Sequence, residues 1–208
     1  MRTLLEQEDG LQFFSPTRQW KEFCLLSLIA DDPTVSQHRL GRAIGASSSM
    51  TNTYIKSFVR QGLLSVSGET NRTMRYELTA AGRKLRRQWL HLYGREVARL
   101  HTAARQEYAK RLGELAEGGI ARLVLFGAAT TGELVYQAAR QTSLTVVAVV
   151  DNDPSKQGQP FGSLMVMPPS AIESFQPDAV LIAAFGRPEE IYQQIKHLKE
   201  KGIEIVRL

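Results

Sequence analysis

The chain has 208 residues, with 26 Lys plus Arg against 21 Asp plus Glu, a net charge of +5, 43% hydrophobic and 23% charged residues. That is enough for one full-sized domain or two small ones, and too apolar for an intrinsically disordered tail. Apolar runs such as Leu144–Val150 fall far short of the roughly 18 residues of a membrane span, and no apolar leader follows Met1, so a cytoplasmic protein without a membrane partner is expected. The single Cys24 and four scattered histidines predict no internal disulfide and no metal.

Charge is unevenly spread. Residues 1–118 hold 18 Lys/Arg and 12 Asp/Glu, whereas residues 119–208 hold 8 and 9. A basic half joined to a near-neutral half suggests a polyanion-binding module attached to something else.

In chain order, Gln19–Ala30 reads as a helix with Phe23, Leu26, Leu28 and Ile29 inward, stopped at Asp31-Asp32-Pro33. Ser36 caps a short helix, Gln37–Ile44, that Gly45 ends. Ala46-Ser47-Ser48-Ser49 leads into a third helix running to about Arg60, which buries Ile55, Phe58 and either Met50 or Thr51. Residues 63–67 and 74–78 flank the turn-rich Gly68-Glu69-Thr70-Asn71, a hairpin pattern. From Thr79 to Glu117 there is no proline, and apolar residues recur from Leu85 to Leu115 in steps of three or four. One helix of about 57 Å follows, ending at Gly118-Gly119. Its apolar stripe has to be covered by another domain or by a second copy, which predicts a homodimer through the long helix. The chain is therefore expected to divide into residues 1–79, a linker and dimerisation helix over 80–118, and residues 119–208.

The third helix carries Ser48, Ser49, Asn52, Thr53 and Lys56 outward, and the hairpin adds Arg72 and Arg75. Short hydroxyl and amide side chains reach base edges, and cations neutralise phosphate. Taken together, the runs Gln37–Gly45, Ile55–Leu64 and Tyr76-Glu77-Leu78-Thr79-Ala80-Ala81-Gly82 resemble the winged helix-turn-helix of bacterial transcription regulators, particularly the MarR-like group. The resemblance covers about residues 18–90. It implies duplex DNA as partner, with the third helix in the major groove and the wing on the flanking backbone.

After Gly119 short β-rich runs, 123–126, 146–150, 179–184 and 203–206, alternate with helical segments 131–140, 170–175 and 189–201. Such alternation predicts an α/β Rossmann-like domain with a parallel sheet. The first turn, Gly127-Ala128-Ala129-Thr130-Thr131-Gly132, compares with the G-x-G-x-x-G dinucleotide fingerprint, with Ala129 in place of the middle glycine, and Asp151 stands where a carboxylate would take ribose hydroxyls. A ligand site built from Gly127, Ala129, Thr130, Thr131, Gly132, Asp151, Asn152 and Arg187, with Phe185 and Gly186 nearby, would take a nucleotide, nucleotide sugar, NAD(H) or CoA. The alternative is a ligand-free interaction domain. Residues 146–172 resemble the Rossmann-like domain of bacterial polysaccharide-biosynthesis proteins and the CoA-binding-like group. By architecture the chain also resembles Rex repressors, which read NADH.

No Ser/His/Asp or Cys/His set is present at interpretable spacing, and Tyr136 and Lys156 do not form the Tyr-x-x-x-Lys pair used by many Rossmann oxidoreductases, so no catalytic residue and no enzyme is expected. The reading is a transcription regulator that senses a metabolite or mediates association. Its alternative is a nucleotide-sugar or cofactor-binding accessory of polysaccharide biosynthesis whose winged helix makes protein contacts.

Overall fold

The computed structural model describes residues 16–68, 70, 73–184 and 186–207. It divides into two compact units that meet within one long helix, between Glu96 and Val97.

The first unit holds α1 (Arg18–Asp31), α2 (Gln37–Ile44), α3 (Ser48–Arg60), β1 (Leu64–Ser67), β2 (Arg75–Leu78) and the start of α4 (Ala80–Glu117). Each short helix begins at a side chain that accepts an otherwise orphaned backbone N–H: Thr17 from Trp20, Ser36 from Arg39, and Ser47 from Met50. Gly45 ends α2 at φ 60°, a left-handed conformation suited to glycine. The core joins Leu25, Leu26 and Ile29 of α1 to Leu40, Ile44, Ile55 and Phe58, and closes on Leu64, Tyr76 and Leu78 of the antiparallel hairpin. Cys24 lies in this core, where burial pushes its thiol up to about 12. Such a group stays protonated and packs as a small apolar side chain.

The Leu78-Thr79-Ala80-Ala81-Gly82 run has a physical explanation. Thr79 donates its hydroxyl to the Gly62 carbonyl at 2.7 Å and accepts the Gly82 N–H at 3.1 Å, while its own N–H reaches the Leu63 carbonyl at 3.0 Å. Thr79 therefore caps α4 and ties it to the end of α3. A Cβ at Gly82 would collide with that same Leu63 carbonyl.

The second unit holds the remainder of α4, then β3 (Arg122–Phe126), α5 (Thr130–Ala139), β4 (Thr145–Val150), β5 (Pro160–Phe161), β6 (Leu164–Met167), a 3-10 helix (Pro169–Phe175), β7 (Ala179–Ile182), α6 (Pro188–Ile195), a second 3-10 helix (Lys196–Lys201) and β8 (Glu204–Arg207). The strand order is β5-β6-β4-β3-β7-β8, parallel throughout except for the β5–β6 hairpin. β3 is buried on both faces: Leu123 and Leu125 join the cluster containing Leu112 of α4 and Val135 of α5, whereas Val124 and Phe126 join the one containing Ile191 and Ile195 of α6. This period of two, with helices over each face, is why the strand reads as an unbroken apolar run. Among the described residues no helix is long and apolar enough to cross a membrane.

Candidate nucleic-acid interface and nucleotide-type site

In α3 the buried residues are Thr51, Ile55 and Phe58. This resolves the expected choice between Met50 and Thr51: Thr51 is fully buried and Met50 is 50% exposed. Gly41 is the reason. A Cβ there would sit 3.0 Å from the Thr51 Oγ1 and 2.7 Å from the Ala46 carbonyl, so α2 and α3 approach too closely for a methionine to lie between them. Thr51 satisfies its hydroxyl on the Ser47 carbonyl at 2.9 Å.

With that rotation, Ser48, Ser49, Thr53 and Lys56 are exposed, and Asn52 is half-buried on the flank towards the hairpin. Arg60, absent from the expected set, lies one helical turn beyond Lys56 and is also exposed. Its position at i+4 from Lys56 was the legible clue. Neither cation has an ion-pair partner among the described residues. The Thr53 hydroxyl donates to the Ser49 carbonyl at 3.1 Å, which leaves its oxygen facing outward as an acceptor. Between α3 and the hairpin runs a groove of about 590 Å³, with Ile55, Val59, Val66 and Met74 along it and Asn52, Lys56 and Arg60 among its polar residues. Arg75 opens β2 opposite Ser67 and is exposed. Arg72 lies outside the described residues.

In the second unit, β3 leads to β4 and β6 on one side of the sheet, and β7 and β8 fill the other. The order therefore reverses between β3 and β7, and open α/β sheets bind ligands beyond the carboxyl ends of the strands at such a reversal. Gly127 sits there at φ 124°, with the Ala184 backbone N 3.0 Å from where a Cβ would be. Gly132 faces the Gly127 carbonyl so closely that no Cβ fits. Both glycines have packing reasons. Ala129 leads into α5 in extended conformation, and no side chain caps that helix. Thr130 and Thr131 form its first turn.

Asp151, 8% exposed, has its carboxylate engaged within the protein. Oδ2 accepts the Ala128 N–H at 2.7 Å and the Lys156 ammonium at 3.0 Å, and Oδ1 accepts the Asp153 N–H at 2.9 Å. Burial alone would raise its pKa; hydrogen bonds from Asp153, Ala128 and Lys156 outweigh this and hold it below the usual carboxylate range. The carboxylate thus clasps the glycine turn, and one acceptor position on Oδ1 remains. Asn152 exchanges two amide hydrogen bonds with Gln194 of α6, at 2.9 and 3.0 Å. Arg187 is turned to Glu190 at 3.7 Å, with its side chain 77% exposed. Phe185 lies outside the described residues. No group of three or more His, Cys, Asp or Glu able to hold a metal occurs among the described residues.

Residues 24–65 match the family model for winged helix-turn-helix DNA-binding domains. Residues 72–208, well over half of the chain, match the model for the C-methyltransferase C-terminal domain. The chain belongs to the C-methyltransferase C-terminal domain family. The resemblances drawn from the second half of the sequence named other families with a Rossmann-like domain, and this one was not among them. No curated protein matches. Solved structures with similarity include MepR, a transcription regulator of the Staphylococcus aureus multidrug efflux pump MepA, at 15% identity over 40% of this chain and 63% of that one, with TM-score 0.34. RSP, a Rex-family repressor, is 14% identical over 92% of this chain and 77% of that one, with TM-score 0.37. PigF with SAH is 16% identical over 78% and 62%, with TM-score 0.29. The chain thus spans under two thirds of MepR and of PigF, and scores of this size carry no argument about function. The described geometry itself is that of a winged helix joined to a Rossmann-like domain.

Proposed function

We propose that the protein is a DNA-binding transcription regulator that works as a homodimer, organised as a winged helix (1–79), a linker and dimerisation helix (80–118) and a Rossmann-like domain (119–208). The observation that carries this reading is the outward face of α3. Ser49, Thr53, Lys56 and Arg60 form a polar, cation-bearing surface backed by packed Thr51, Ile55 and Phe58. Ser48, Asn52, Arg72 and Arg75 extend the interface. The match of residues 24–65 to DNA-binding winged helices supports it. In this role Asn52 and the α3 hydroxyls read base edges, while Lys56, Arg60 and the wing arginines hold phosphates.

Two substitutions separate these roles in a titration of duplex binding. Lys56→Ala weakens all duplexes alike and flattens the dependence of log K on log salt by about 0.9. Asn52→Ala narrows the gap between preferred and unrelated sequences by about 1–3 kcal/mol. Full-strength, salt-steep binding by both variants would refute this docking face.

The Rossmann-like unit then senses a nucleotide-type metabolite through Thr130, Thr131, the remaining Asp151 acceptor, Asn152 and Arg187, around the backbone of Gly127, Ala129 and Gly132. A ligand acts on DNA binding only through a difference in affinity for two states of the protein. Family membership favours a second reading, a part in methyl transfer. A thermal-shift series with nucleotides, nucleotide sugars, NAD(H), CoA and S-adenosylmethionine discriminates between them. Stabilisation by one of the first four alone supports the sensor; stabilisation by S-adenosylmethionine supports methyl transfer. Ligand at 100 times its Kd raises stability by about 2.7 kcal/mol.

A further inference from the structure

The strongest charged patch of the first unit lies on the solvent face of α4. Residues 79–95 contain five Lys/Arg (Arg83, Lys84, Arg86, Arg87 and Arg95) and no Asp or Glu. The remainder of the same helix, residues 96–117, is balanced, with four of each sign and an Arg111–Glu114 ion pair at 3.0 Å.

Two of the five cations serve the fold. The Arg83 guanidinium donates to the Leu78 carbonyl and the Arg86 Nε to the Ser27 hydroxyl. Lys84, Arg87 and Arg95 are exposed and without ion-pair partners among the described residues. Their spacing, with His91 between the last two, is three, four and four residues, which aligns them along one edge of the helix over about 17 Å. The opposite side is occupied: Leu85 and Trp89 pack on the core and Tyr93 lies against Phe23, with ring centroids 5.8 Å apart. Helix stability does not account for this arrangement. Cations near a helix N-terminus oppose the macrodipole, and like charges four apart, such as Arg83 and Arg87, repel.

We infer that this edge of α4 is a second, sequence-independent binding surface for the phosphodiester backbone of duplex DNA, distinct from the α3 face. The charge complementarity selects the partner. A row of cations with no acid interspersed suits a polyanion of regular spacing, and about 17 Å of duplex axis presents some five phosphates per strand. Contacts to phosphate position a duplex but carry no sequence information, so the surface adds affinity without discrimination.

The inference rests on the DNA-binding reading, and the test keeps the two apart. The full chain and its K84S/R87S/R95S variant are titrated with a preferred and an unrelated duplex over a range of salt, with helicity checked by circular dichroism. Losing three phosphate contacts is expected to flatten the slope of log K against log salt by about 2.7 for both duplexes, up to about 500-fold in affinity at 0.1 M. The ratio between the two duplexes stays unchanged, whereas Asn52→Ala alters that ratio and leaves the slope. A triple variant as salt-steep as the parent would overturn the α4 surface while leaving the α3 reading standing. Failure of the parent chain to bind any duplex at low salt would overturn both.

Discussion

Gly82→Ala is expected to destabilise the first unit by about 1–3 kcal/mol even though alanine is the better helix former by about 1 kcal/mol. The added methyl meets the Leu63 carbonyl, and the next nearest atoms are the Leu63 carbonyl carbon at 3.1 Å and Cα at 3.4 Å. All are backbone atoms, so no side chain can swing aside. Leu63 cannot retreat without loss, because its N–H is bonded to the Phe58 carbonyl at 2.9 Å and its oxygen accepts the Thr79 N–H at 3.0 Å. Moving it breaks the junction at which Thr79 caps α4. For a unit of this size each kcal/mol lowers Tm by about 4–8 °C. Gly94 is the internal control: the same helix has open space around it, so Gly94→Ala gains roughly 1 kcal/mol from propensity alone. Thermal unfolding of the two variants should therefore move in opposite directions, and a Gly82→Ala protein as stable as the parent would contradict the packing described.

The second large effect is expected from Val97→Asp with Leu100→Asp. The N-terminal part of α4 rests on one core through Leu85 and Trp89, and its C-terminal part on another through Tyr108, Leu112 and Leu115. Between them every residue from Gly94 to Ala103 is exposed, including Val97 at 44% and Leu100 at 47%, with Leu90 at 49% shortly before. A helical stretch of this length without tertiary contact is marginal in water, and apolar side chains repeated at helical spacing are covered when a second copy packs on them. In the proposed homodimer the two substitutions remove four buried apolar side chains, at about 1.5 kcal/mol each or more. A weakening of about four decades in Kd follows. Sedimentation at micromolar concentration should show the parent as a dimer and the variant as a monomer; a monomeric parent would end the dimer proposal.

The cation row of α4 lies within residues 84–95, ahead of Val97 and Leu100. The basic excess first assigned to a DNA-binding half is therefore concentrated in the helix after the wing. α3 itself carries only Lys56 and Arg60, and specific reading there depends on hydroxyl and amide groups.

How much the sequence revealed differs from element to element. The Ser36 cap, the stop at Gly45 and the unbroken run from Ala80 to Glu117 are local chemistry, in which a side chain meets a backbone group three residues away or no proline intervenes; Thr17 and Ser47 cap α1 and α3 in the same way but were not read as caps. β3, β4 and β7 were equally legible, because burial within the sheet leaves them almost wholly apolar, and the edge strand β8 showed through Ile203, Ile205 and Val206 although Glu204 and Arg207 are exposed. β5 was not legible, since two residues carry no period. α6 and the following 3-10 helix read as one segment because helical spacing does not distinguish the two over so short a stretch.

At the sites the division is sharper. By itself the sequence determined which residue types are present and on which elements: hydroxyls, an amide and cations on the third helix, a glycine-rich turn, and an aspartate after the second strand of the sheet. Only the tertiary structure decided how they are used, because each outcome depends on a partner distant in sequence. Gly41 sets the rotation of α3 by admitting Thr51, and Leu63 fixes the need for glycine at 82. Ala128, 23 residues away, takes up the Asp151 carboxylate that spacing alone would have left open to a ribose, and Lys156 joins it, since a hydrogen bond or a steric limit exists only once folding has brought the two segments together.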